Sequence, residues 1–111
     1  MVYGDDVPAV DAPNVPEGAF LLDVREEDEW HAGHVPAAVH IPLGELPARV
    51  AEVPRDRDVY VVCRSGTRSA QAVAFLNMNG WNSTNVDGGM KSWAQAGRPM
   101  RSNTEAPPAV I

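Results

Sequence analysis

The run Val59-Tyr60-Val61-Val62-Cys63-Arg64-Ser65-Gly66-Thr67-Arg68-Ser69 decides the fold. Its first four residues are β-branched or aromatic with no polar break, the pattern of a strand at the centre of a sheet covered by helices. From Ser69 onward, Ser69, Ala72, Val73, Leu76 and Gly80 recur at helical spacing, so one helix face packs on the sheet and Gly80 ends the helix. Phe75 widens that face. The loop between strand and helix starts at Cys63 and consists of small and polar residues, with Gly66 supplying conformational latitude.

Outward from this unit the chain keeps alternating. Toward the N-terminus, Phe20-Leu21-Leu22 ending in Asp23 reads as a buried strand, and Arg25 to Ala32 as a short helix stopped by Gly33. Val39 to Ile41 is a further strand between Pro36 and Pro42, and Glu45 to Val53 a helix that Pro54 closes. Toward the C-terminus, Ser83 to Val86 is the last strand, Asp87-Gly88-Gly89 a turn, and Met90 to Ala96 the last helix. The first nineteen residues offer only Val7 to Val10 as an edge strand. Strands alternating with helices predict an α/β domain with a mainly parallel sheet. One domain over residues 1–100 and a loose tail over residues 101–111 are expected.

Composition excludes several functions. With 111 residues and 44% apolar content the chain builds a core without staples. A net charge of −6 argues against nucleic acid and against an anionic membrane surface. No stretch approaches the ~20 apolar residues of a membrane span. A single cysteine permits no intrachain disulfide and suits a reducing compartment, so the protein is read as cytoplasmic. A monomer is expected.

The chemistry concentrates in the loop. In open α/β sheets ligands bind beyond the carboxyl ends of the strands, where a loop entering a helix presents converging N–H groups to an anion. A lone cysteine at a strand end is ordinarily a small buried hydrophobe. At a helix mouth beside Arg64 and Arg68, however, its thiolate is favoured, and a downward shift of ~2 from about 8.5 makes that form dominant at neutrality. The two arginines also sit against the helix dipole and call for a compensating anion. Ser65, Thr67 and Ser69 read as turn and cap residues whose amides are better ligands than their side chains.

Three stretches together resemble the single-domain rhodanese family, the thiosulfate sulfurtransferases. Leu21-Leu22-Asp23-Val24-Arg25-Glu26 through Glu29-Trp30 and Gly33-His34-Val35-Pro36 to Ile41-Pro42 is similar to the N-terminal signature. Cys63 to Ser69 is similar to the active-site loop. Gly80-Trp81, Asp87-Gly88-Gly89-Met90, Trp93, Ala96-Gly97 and Pro99 are similar to the C-terminal signature. The resemblance implies a three-layer domain, its mainly parallel sheet of roughly five strands flanked by helices.

It also implies a reaction in which Cys63 takes the outer sulfur of thiosulfate or a similar small anionic donor, releases sulfite, and carries a persulfide. The sulfur then passes to a thiophilic acceptor such as cyanide, a thiol or a thioredoxin-like protein. Cys63 is the catalytic residue, and Arg64, Ser65, Gly66, Thr67, Arg68 and Ser69 form the substrate cradle. No metal and no organic cofactor is implied. Ala37 stands where the family usually has glycine and His40 where it often has asparagine. The segment before Phe20 is short for the family.

Alternative readings follow from the same residues. A cysteine phosphatase needs five residues between cysteine and arginine, whereas four separate Cys63 from Arg68 and the position that would carry the phosphatase arginine is Ser69. A noncatalytic binding or sulfur-carrier module is the other rival, and retention of Cys63 and both loop arginines argues against the noncatalytic form. A reductase with a resolving thiol lacks its second cysteine. His31 and His34 have no cysteine or carboxylate cluster at zinc spacing to join them. Asp23 is read as the partner of Arg25, Trp30, Trp81 and Trp93 as packing residues, and Glu26 to Glu29 as a solvated helix face.

Overall fold

The computed structural model describes residues 7–111. Five strands form one sheet: β1 (Ala9–Asp11), β2 (Phe20–Asp23), β3 (Val39–His40), β4 (Val59–Val62) and β5 (Ser83–Asp87). Their order is β1-β5-β4-β2-β3, and every pairing is parallel. The helices are α1 (Glu27–Ala32), α2 (Leu46–Arg49), α3 (Thr67–Met78) and α4 (Gly89–Gln95).

The side-chain period of two divides the core. Val59 and Val61 of β4 join Leu22, Ala72, Val73 and Leu76 on the α3 side. Tyr60 and Val62 join Leu21, Val86, Met90 and Trp93 on the α4 side. A continuous apolar β4 is thus explained by burial on two faces, the expected three-layer architecture. From β2 the chain proceeds to β3 at one edge, whereas from β4 it proceeds to β5 on the other side. The adjacent carboxyl ends of β2 and β4 therefore form the switch point, where such sheets open a crevice.

Element boundaries differ from the sequence reading in instructive places. The Glu45 to Val53 helix is one α turn, α2, between 3-10 turns at Leu43–Glu45 and Val50–Glu52. Pro47 has no N–H to give and sits at the start of that α turn, where the loss is tolerated. The edge strand is Ala9–Asp11 instead of Val7 to Val10, paired with Asn85, Val86 and Asp87.

The tail is the clearest correction. Residues 101–111 fold back on the domain: Arg101 and His34 exchange main-chain hydrogen bonds of 2.8 and 2.9 Å. The Asn103 amide donates to the His31 carbonyl and the Ala109 amide to the Ala32 carbonyl, each at 2.9 Å. Val110 packs against the α4-side core. A side chain at position 33 would collide with the Ala109 main chain, so Gly33 permits this docking.

Candidate active site

Cys63 leaves the end of β4, and Gly66 turns the chain into α3. The turn requires φ of +112° at Gly66, a left-handed conformation costly for any residue with a side chain. The Gly66 amide donates to Cys63 Sγ at 3.1 Å, and Ser69 Oγ lies 3.3 Å from the same sulfur. From the other side α4 clasps the loop. The Met90 amide donates to the Cys63 carbonyl at 2.8 Å and the Lys91 amide to the Arg64 carbonyl at 3.1 Å. Gly89 has no Cβ to strike those same main-chain atoms.

The electrostatics favour the thiolate. Burial pushes the Cys63 thiol up, but the Ser69 hydroxyl and the amides of Ser69, Gly66 and Ser65 together outweigh it, and the net displacement is downward. Hydrogen bonds to the sulfur, more than the arginines, bring this about. Cys63 itself is 1% exposed, at the polar end of the α3-side core.

The predicted cradle residues fall into two groups. Gly66, Ser69 and the Ser65 amide converge on the sulfur. The exposed Ser65 and Thr67 side chains have no hydrogen-bond partner there. Arg64 is exposed and donates from Nε to the main-chain oxygen of Ile111 at 3.0 Å. Arg68 is held end-on by Glu29, with Nη1–Oε1 at 2.7 Å and Nη2–Oε2 at 2.9 Å. That contact lowers the Glu29 carboxyl to about 2. It also corrects the reading of Glu26 to Glu29 as a purely solvated face, because Glu29 retains only 13% of its side-chain exposure.

Two site residues escaped the sequence reading. One is Glu29. The other is Asn85 of β5, whose Nδ2 donates to the Gly66 carbonyl at 3.1 Å while its Oδ1 accepts from Ser69 Oγ at 2.5 Å. No sequence signal sets Asn85 apart, because β5 reads Ser83-Thr84-Asn85-Val86-Asp87 and is polar at most positions; only its burial in the fold marks it.

The remaining candidates are structural. Asp23 and Arg25 form an ion pair at 2.8 Å with both side chains fully buried, and Arg25 Nη2 also binds the Gly33 carbonyl at 2.7 Å. Trp30 stacks on His34 and His40, with centroids 3.8 and 4.7 Å away. Trp81 and Trp93 donate to the carbonyls of Val53 and Pro99. His34 Nδ1 binds the Trp30 carbonyl and His31 Nδ1 meets Asn103, so the two imidazoles do not converge. A groove of about 240 Å³ lined by Leu21, Val35, Ala38 and Trp93 includes none of the loop residues 63–69.

A cysteine cradled by amides at the mouth of a helix, on a five-stranded parallel sheet, defines a class of α/β domains built around a reactive sulfur. Residues 9–96 match the family described as Rhodanese-like domain. The chain belongs to that family. It is 41% identical over 85 residues to a sulfurtransferase of Allochromatium vinosum, covering 76% of this chain and 79% of that one. It is 33% identical over 78 residues to the thiosulfate sulfurtransferase GlpE of Pseudomonas savastanoi, covering 69% and 74%. The crystal structure of a rhodanese-related protein from Thermoplasma volcanium superposes with a TM-score of 0.80 at 35% identity, covering 84% of this chain and 96% of that one.

Proposed function

We propose that this chain is a sulfurtransferase that carries a sulfane sulfur on Cys63. The ionised sulfur attacks the outer sulfur of thiosulfate or a similar anionic donor. A Cys63 sulfur–sulfur bond forms, the donor's sulfur–sulfur bond breaks, and sulfite departs with that electron pair. The terminal sulfur of the persulfide is then taken by cyanide or a thiol, on a small molecule or on a thioredoxin-like protein, and the Cys63 thiolate returns. Neither step calls on a metal or an organic cofactor.

The observation that carries this reading is the pair of donors on Cys63 Sγ, the Gly66 amide and the Ser69 hydroxyl, within a loop of the family's pattern. The same donors would stabilise the negative charge of the persulfide. The loop, one residue shorter than a phosphatase loop, makes a smaller cradle that suits a sulfur atom better than a phosphoryl group. The lone cysteine supports a reducing, cytoplasmic setting. Among the described residues no helix is long and apolar enough to cross a membrane.

Intact mass spectrometry after incubation with thiosulfate tests the proposal. The expected result is a gain of one sulfur that cyanide discharges and that Cys63→Ser abolishes. Failure to load from thiosulfate and from organic sulfane donors alike would overturn it. Loading without repeated turnover would make the chain a sulfur carrier instead of a sulfurtransferase.

A further inference from the structure

The arginine nearest in sequence to the helix mouth is already neutralised by the protein. Both Arg68 Nη atoms are engaged by Glu29, and Arg68 lies within the field of Cys63 and of Glu26. Glu29 is locked from its other side too, since its Oε1 accepts the Glu26 amide at 3.0 Å and closes the capping box of α1. Arg25, the other cation acting on Glu29, is spent on Asp23. The Glu29 carboxylate thus cancels the Arg68 charge, and the other loop cation, Arg64, has its Nε on the Ile111 main-chain oxygen. A cradle built to collect a doubly charged donor would leave Arg68 unpaired. This one does not.

We infer that Glu29 is a specificity-determining residue: by occupying Arg68 it disfavours doubly anionic sulfur donors and favours donors with one negative charge beside the transferable sulfur. The inference rests on the sulfur-transfer reading and narrows its donor class. Such a donor gives the same balanced step. The thiolate forms a bond to the donor's terminal sulfur, and a singly charged leaving group departs with the electron pair of the broken sulfur–sulfur bond.

Thiosulfate and methanethiosulfonate make the comparison, because one methyl in place of one charged oxygen separates them. Persulfide formation on Cys63 is followed with each donor to give kcat/KM. The unmodified protein should prefer methanethiosulfonate, and Glu29→Gln should move the ratio about tenfold toward thiosulfate, chiefly through KM, once the uncompensated Arg68 charge faces the donor. Glu29→Asp, which keeps the charge, should retain the original preference. In an Arg68→Gln background the Glu29→Gln effect should vanish.

Equal changes for both donors in Glu29→Gln would overturn the inference, as would a shift that persists without Arg68 or one reproduced by Glu29→Asp. Any of these leaves sulfur transfer standing. Absence of loading from either donor in the unmodified protein would instead overturn the sulfur-transfer reading, and the donor preference with it.

Discussion

Ser69 Oγ has one proton and two acceptors, Cys63 Sγ at 3.3 Å and Asn85 Oδ1 at 2.5 Å. Because Asn85 Nδ2 is fixed on the Gly66 carbonyl, its oxygen must face Ser69. The hydroxyl therefore turns between amide and sulfur, and ionisation of Cys63 draws it to the sulfur. Ser69→Ala removes that donor, leaves the upward push of burial less opposed, and should raise the pH of half-maximal Cys63 alkylation by ~1 unit. An unchanged profile would assign the thiol's acidity to the main-chain amides alone. Linkage has a definite sign here. A thiol depressed on folding adds stability that grows as pH rises through the folded value, is complete above about 8.5, and is lost as pH falls through the folded value. Cys63 and Gly66 were legible because their relation is local, within one loop, whereas Ser69 reads as a cap residue contributing its amide and in fact turns its hydroxyl to the sulfur. Asn85 was not legible, since it reaches Ser69 from 16 residues away by strand pairing that no spacing encodes. Glu29 reaches Arg68 across 39 residues.

The connection from β2 to α1 depends on a charge pair in a place where charges are costly. Asp23 and Arg25 are both fully buried, and Asp23 accepts from the Arg25 amide at 3.1 Å as well as from the guanidinium. The guanidinium in turn holds the Gly33 carbonyl at the end of α1. Asp23→Ala should cost about 3–5 kcal/mol in denaturant unfolding, because it strands a buried cation. A loss below about 1 kcal/mol would mean that water replaces the carboxylate. The pair was readable from Asp23 and Arg25 two residues apart at a strand end, as were β4 and α3 from unmixed periodicity. The region around α2 was not, because Gly44 and Pro47 divide a helical pattern into single turns whose order comes from packing Leu46 and Val53 into the core.

At the scale of the molecule, the C-terminal segment contributes to stability. Residues 101–111 read in the sequence as a loose tail. The hydrogen bonds to His31, Ala32 and His34, and the apolar seat of Val110, are long-range contacts invisible to composition. Deleting residues 101–111 should therefore lower Tm by about 5 °C or more, measured by calorimetry. An unaltered Tm would mean that the segment docks without net gain. The course of this segment has another outcome, for it brings the Ile111 main-chain oxygen onto Arg64, the residue next to Cys63. A partner segment that docked on this stretch would be held at roughly millimolar effective concentration near the Cys63 loop. Encounter would become intramolecular, and a weak acceptor could then compete with freely diffusing thiols without any improvement in its own affinity.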